Sequence, residues 1–246
     1  MARFFIAASN IFGGVAYLDH KDSEHIKGLR FKDGEVITFS DGNGTDYTCK
    51  VEETSQDGEI TARIIETAPS SGEASVHCAV FAAYPEGDRA DTIIKKCVEL
   101  GVNEICFFPS KLCASIPDEK ALIRKTNRWQ NIALEAAKES GRGRIPKVRA
   151  LPSFEYAVED ACGYQLPLFL NEHEKDLGIK AAIEERPDAK TIAVMTGPEE
   201  GFTPAEAEFA GKTGMRSVTI GQRILRNDTA VVGAVTAVML MTGNMQ

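Results

Sequence analysis

No run of the 246 residues reaches the roughly 18 consecutive apolar positions that a membrane-crossing helix needs. The opening MARFFIAASN has too short an apolar run to read as a secretory signal. Cysteines stand at 49, 78, 97, 106, 113 and 162, with no CxxC pair and no histidines clustered beside them. That pattern argues against a disulfide scaffold or a zinc site and predicts a reduced, cytoplasmic protein without metal. Glu172, His173 and Glu174 are consecutive, a spacing from which one ion is poorly chelated. The common nucleotide and hydrolase signatures are missing too: no GxGxxG after a strand, no GxxxxGK[ST] loop, no GxSxG elbow. Positive charge is in deficit, with a formal net charge of -8, which argues against indiscriminate nucleic-acid binding.

What is present is the composition of a globular protein, 43% hydrophobic and 26% charged, long enough for one large domain or two smaller ones. The charge is uneven. From Lys120 to Arg149 nine basic residues are opposed only by Glu135 and Glu139. Such a stripe on an acidic chain points to a local anionic partner, the alternative being a solvated helix face. Residues 1–66 read as short strands, at Arg3 to Ala7, Val36 to Ser40, Tyr47 to Glu53 and Glu59 to Glu66. The turns Asp33-Gly34, Asp41-Gly42-Asn43-Gly44 and Asp57-Gly58 are spaced as in a small β-barrel, and His20 to Arg30 reads as a short helix. Thr67 to Ser75, small, polar and proline-containing, reads as a linker. Beyond it strands and helices alternate: strand Val76 to Ala83, a helix to Leu100 closed by Gly101, strand Val102 to Phe108, a long helix over 118–140 with Trp129 on its apolar side, and strand Leu166 to Leu170. Alternation of this kind predicts an α/β domain with a mostly parallel sheet.

Residues 191–232 are the most informative stretch. The β-branched run Thr191 to Thr196 is broken by Gly197-Pro198, and Thr203-Pro204-Ala205-Glu206 opens a helix as a capping box with proline at its first position. Val218 to Ile220 ends at Gly221, and Asp228 is placed to cap a last helix over Thr229 to Met241. Two irregular loops therefore follow two strands, one carrying Glu199 and Glu200, the other Arg223 and Arg226. Open α/β sheets bind ligands at such strand ends. The last helix is small and apolar all round, so it must be buried on more than one side.

GPEEGFTPAE and IGQRILRNDTAV resemble the two cofactor-loop signatures of the SPOUT class of RNA methyltransferases, and within it the family that methylates N3 of a uridine in 16S ribosomal RNA. Glu200 and Asp228 stand where that family usually has glycine and glutamate, and Glu86 where it usually has lysine. The likeness continues in the opening Arg-Phe-Phe, in the segment from His25 to Arg30, and in DRADTIIKKCVELGVNEI. It implies an α/β fold with an N-terminal PUA-like β-barrel over 1–68, then a SPOUT domain over 76–246 whose C-terminal segment is threaded into a trefoil knot. It implies a homodimer, ribosomal RNA as partner, and S-adenosylmethionine as cofactor.

Residue by residue, the resemblance implies a cofactor site built from Leu170, Thr196, Gly197, Pro198, Glu199, Gly201, Ile220, Gly221, Ile224, Leu225, Thr229 and Ala230. It implies RNA contacts at Arg3, Lys27, Arg30, Arg89, Arg142 and Arg144, with Arg142 the leading phosphate contact. For the chemistry, Arg226 would stabilise negative charge on the uracil carbonyls, and either Glu199 or Asp228 would assist as base. Two other readings remain at this point: a ribosome-assembly factor that keeps the fold without catalysis, and an enzyme for a different nucleotide.

Overall fold

The computed structural model describes residues 4–18, 32–54 and 59–245. The chain divides into two compact units, Met1–Glu73 with Ala137–Ile145, and Ala74–Ala136 with Pro146–Gln246. The expected helix at His20 to Arg30, with Lys27 and Arg30, lies outside the described residues, as does Arg3.

The first unit holds a six-stranded sheet: β1 (Phe4–Phe5), β2 (Ile11–Phe12), β3 (Val15–Leu18), β4 (Val36–Ser40), β5 (Thr45–Thr54) and β6 (Ile60–Pro69), in the order β1-β4-β5-β6-β3-β2. Ile6, Leu18, Ile37, Phe39, Val51 and Ile60 form its core. The β2–β3 hairpin went unread in the sequence, since its strands are very short. It turns on Gly13 and Gly14, whose φ of 61° and 77° suit the two-residue hairpin turn that demands positive φ at both positions. The segment read as a linker is partly strand: Thr67, Ala68 and Pro69 pair with Tyr47, Asp46 and Thr45. The glycine-arginine loop also belongs to this unit. The Gly44 amide donates to the Gly143 carbonyl (3.1 Å), and the Ile145 amide donates to that of Gly42 (3.0 Å).

The second unit carries β7 (His77–Ala83), α1 (Arg89–Glu99), β8 (Glu104–Phe108), α2 (Glu119–Glu139, its last turn in the first unit), β9 (Lys147–Ala150), α3 (Phe154–Ala161), β10 (Leu166–Leu170), α4 (Ile179–Glu184), β11 (Thr191–Thr196), α5 (Pro204–Thr213), β12 (Arg216–Val218) and α6 (Asn227–Met241). Every pairing in its six-stranded sheet is parallel, in the order β12-β10-β11-β7-β8-β9. Six of the seven β7 residues are buried, as expected of a strand covered by helices on both faces. Helices α1, α4 and α6 pack together, and α3 packs with α5. Trp129 is 2% exposed and lies 4.6 Å from the Phe107 ring, so it is a core residue. Among the described residues no helix is long and apolar enough to cross a membrane.

Two boundaries near the C-terminus differ from expectation. The last strand is Arg216–Val218, so Thr219 and Ile220 already belong to the loop. Helix α6 starts at Asn227 with Arg226 in the N-cap position and no side-chain cap. Asp228 is not the cap; its Oδ1 accepts only from the adjacent Thr229 amide, at 3.0 Å.

Candidate active site

The sheet order places β10 and β11 on one side of β7 and β8 and β9 on the other, which creates the reversal of strand order where parallel sheets bind ligands. Beyond the C-terminal ends of β10, β11 and β12 lies a cavity of about 100 Å³. Its walls are three loops. The first supplies Leu170, Asn171 and Glu172, the second Thr196 to Glu199 with Gly201 and Phe202, and the third Val218 to Gly221 with Arg223, Ile224 and Leu225; Asn227 and Ala230 of α6 close it.

Of the twelve residues expected to hold a cofactor, all but Thr229 line this cavity. Helical geometry explains the exception. Asn227 and Ala230, three apart on α6, share the inward face, which turns Asp228 and Thr229 away. Arg226 is absent from the wall as well. Its side chain is 69% exposed, with Nε 4.0 Å from Asp228 Oδ1, between two neighbours that do line the cavity. Asn171, Val218, Thr219, Phe202 and Asn227 also line it: strand-end position marks the first three, and the last two lie inside the two loop signatures.

The second loop is shaped by close backbone approach. A Cβ on Gly197 would stand 3.1 Å from the Gly201 carbonyl carbon and from the Phe202 ring. Gly201 has φ 73°, and a Cβ there would lie 2.5 Å from Glu172 Oε1. Asn227 ties this loop to the third, its Nδ2 donating to the Gly197 carbonyl. Behind the loop, Glu206 anchors α5. Its Oε2 accepts from the Thr203 amide (2.9 Å) and hydroxyl (2.8 Å), and its Oε1 from the Ser110 hydroxyl and Lys111 amide (both 2.9 Å). Burial pushes the Glu206 carboxyl up, yet these donors outweigh it and hold the group below the usual carboxylate range.

Two polar atoms at the cavity have no partner among the described residues: Thr196 Oγ1 and Asn227 Oδ1, on residues 2% and 4% exposed. Buried polar groups are seldom left so, and here they stand beside a wall of backbone amides, carbonyls and the apolar side chains of Leu170, Val218, Leu225 and Ala230. These residues suit a nucleoside, which is apolar on its faces and polar at its edges.

Glu199 and Arg89 meet. The Arg89 guanidinium is bonded to Glu199 Oε1, and the Glu86 amide donates to the same oxygen at 3.1 Å. Burial raises the Glu199 carboxyl, but the Glu86 amide and Arg89 hold it below its ordinary range. A carboxylate kept ionised in this way is a poor proton acceptor. The two thus form an anchor between the loops after β7 and β11.

Arg142 takes a place other than the one expected. It is 3% exposed, and its guanidinium is forked on Glu73, Nη2 to Oε2 at 2.7 Å and Nε to Oε1 at 3.0 Å. Glu73 Oε1 also accepts from the Gly143 amide at 2.9 Å and the Arg144 amide at 3.1 Å. Committed in this way, Arg142 does not present to a phosphate; it fastens the glycine-arginine loop to the first unit. Arg144 is exposed, lying over Gly44.

Residues 72–239 match the model of the RNA methyltransferase domain, and residues 18–65 match that of the RNA methyltransferase PUA domain. The ribosomal RNA small subunit methyltransferase E of Mesomycoplasma hyopneumoniae is 31% identical over 96% of this chain and 98% of its own. That of Bacillus subtilis is 27% identical over 87% and 85%. Among solved structures, the same enzyme of Neisseria gonorrhoeae, bound to S-adenosyl methionine, superposes with a TM-score of 0.81 at 27% identity, covering 98% of this chain and 97% of that one. The matched domains, the full-length likeness and the glycine-shaped cavity at the strand ends agree: the chain belongs to the ribosomal RNA small subunit methyltransferase E family of RNA methyltransferases.

Proposed function

We propose that this protein transfers a methyl group from S-adenosylmethionine to N3 of a uridine in 16S ribosomal RNA. The observation that carries the reading is the cavity after β10, β11 and β12, whose lining takes in eleven of the twelve residues that the family resemblance assigns to the cofactor. S-adenosylmethionine supplies an electrophilic methyl group on a positively charged sulfur. The Glu172 carboxylate on the cavity wall favours a cation there, Glu199 being paired with Arg89. Thr196 Oγ1 and Asn227 Oδ1 take up polar edges of the nucleoside.

Uridine N3 carries a proton at neutral pH, so its attack on the methyl carbon requires that proton to leave as the carbon–sulfur bond breaks. Arg226, exposed beside the cavity, faces the uracil carbonyls and offsets the anion that forms as the proton departs. Asp228 is the acid beside it and serves as proton acceptor, since Glu199 is tied to Arg89. RNA phosphates are met by Arg144, by Arg89 as the RNA displaces part of its pairing, and by Arg3, Lys27 and Arg30.

Helix α6 leaves Val232, Thr236 and Leu240 along one side, and Leu240 is 59% and Ile224 89% exposed. A second copy of the chain covers this stripe, giving a homodimer measurable by sedimentation. The trefoil knot that the resemblance implies is supported by the return of the chain from β12, at the sheet edge, to α6, which packs on β7 and β11. The test is mass mapping of 16S ribosomal RNA from a deletion strain, with calorimetry of the protein against S-adenosylmethionine. Loss of one N3-methyluridine and saturable binding are expected. Binding without a lost modification would leave a different nucleotide as substrate; no binding would leave an assembly factor.

A further inference from the structure

The first unit carries an aromatic feature that the cofactor chemistry does not use. On the β2–β3 hairpin, Phe12 and Tyr17 stack with ring centroids 4.3 Å apart and planes 14° from parallel. Both rings face outward, Phe12 59% and Tyr17 37% exposed, on strands whose alternate residues Ala16 and Leu18 are buried. Among the described residues nothing lies within 4 Å of where a Cβ would stand on Gly13 or Gly14, so the hairpin tip is open. An exposed aromatic pair on a hairpin held at Ile64, whose amide donates to the Gly14 carbonyl at 2.9 Å, is a rigid apolar surface.

The register sets what stands beside it. Phe12 pairs with Val15, Val15 with Arg63, and Arg63 with Lys50, one row across β2, β3, β6 and β5. Val15 is half-buried, while Arg63 and Lys50 are exposed on the same outer face, because their neighbours Ala62, Cys49 and Val51 point into the core. At the usual strand spacing of about 4.8 Å, the Arg63 and Lys50 backbones lie about 10 and 14 Å from that of Phe12. Arg63 pairs with Glu52 yet keeps 61% of its side chain exposed. A flat π surface flanked at nucleotide-scale distances by two cations is the arrangement with which single-stranded nucleic acid is held: a base on the ring, its phosphates on the cations.

We propose that the Phe12–Tyr17 stack is a docking platform for an unpaired nucleobase of single-stranded RNA, with Arg63 and Lys50 receiving the adjoining phosphates. The platform rests on the reading of the chain as an RNA-modifying enzyme and adds to it a substrate requirement, an unpaired nucleotide outside the methylated position.

The full-length protein is titrated with a single-stranded RNA oligonucleotide carrying 2-aminopurine and with a duplex of the same sequence. Phe12→Ala and Tyr17→Ala each weaken single-strand binding about tenfold and abolish the 2-aminopurine quenching. Phe12→Tyr keeps both, and duplex binding and S-adenosylmethionine affinity do not change. Because both side chains are exposed, the variants fold, as circular dichroism will verify. Two results overturn the platform alone: wild-type binding of the RNA with no loss in either alanine variant, or full RNA binding by Phe12→Leu, which lacks a π face and would show that no base stacks on the ring. A wild-type protein with no affinity for RNA would overturn the platform and the RNA-enzyme reading together.

Discussion

Replacing Glu206 by glutamine keeps the side-chain shape and removes its charge, a sharp test of how the cofactor loop is held. Four donors converge on the carboxylate: the Thr203 amide and hydroxyl on one oxygen, the Ser110 hydroxyl and Lys111 amide on the other. Glutamine offers one acceptor oxygen, so whichever way the amide turns, one pair of donors faces an NH2 group. Hydrogen bonds to a charged group are worth about 1.5–3 kcal/mol each, and the loss of two, partly relieved by relaxation, is about 3 kcal/mol. For a chain of this size that lowers the melting temperature by about 6–12 °C. Urea unfolding followed by Trp129 reads this directly, because it is the single tryptophan and is buried in the second unit with Glu206. The pH dependence makes the test specific. The folded carboxyl is held below its unfolded value, so its stabilisation is present above that value, about 4.3, and fades as pH falls through the depressed one. The gap between wild type and variant is therefore widest near pH 7 and closes below pH 4. A gap under about 0.5 kcal/mol at pH 7, or one unchanged on acidification, would refute the reasoning, since both follow from an ionised anchor.

Arg226→Ala is expected to lower turnover by about 100-fold or more, with S-adenosylmethionine affinity within about twofold, because the guanidinium is off the cavity wall; single-turnover kinetics and calorimetry separate the two effects. Arg144→Ala should weaken RNA binding and make its salt dependence shallower by about one unit of slope. Arg142→Ala should instead destabilise the first unit by about 3–5 kcal/mol, since it leaves Glu73 buried without its cation; proteolysis of that unit and thermal melting report it. Gly201→Ala forces a side chain to φ 73° and against Glu172, so cofactor affinity should fall about tenfold, read by calorimetry.

Much of the second unit could be read from the chain alone. Strands β10 and β11 match their predicted limits, Leu166–Leu170 and Thr191–Thr196, because each is a short apolar run cut by a turn former. The capping box at Thr203 and Glu206 formed as read, with proline at the first helical turn, since all its determinants lie within four residues. The hairpin around Gly13-Gly14 escaped notice because two strands of two and four residues carry no period long enough to count. Strands and helices at Lys147–Ala150, Phe154–Ala161 and Ile179–Glu184 were covered only by the general expectation of alternation.

The candidate site divides in the same way. Glycines, prolines and strand ends are local signals, and they located the loops that wall the cavity. Which side chains enter it depends on the phase of α6, set by where its first turn begins, and with the cap at Arg226, two residues before Asp228, Asp228 and Thr229 lie off the wall. Arg142 is the clearest case. A guanidinium on a glycine-rich loop reads as a phosphate contact, yet Glu73, 69 positions earlier, claims it. Local composition and spacing determined the elements, the turns and the place where a ligand belongs, because each rests on neighbours in the chain. Long-range pairing decided which charges are available and which are already neutralised: Arg89 with Glu199 across 110 residues, Arg142 with Glu73, Glu206 with the loop after β8. Such partners are chosen by proximity in space, which sequence separation does not encode.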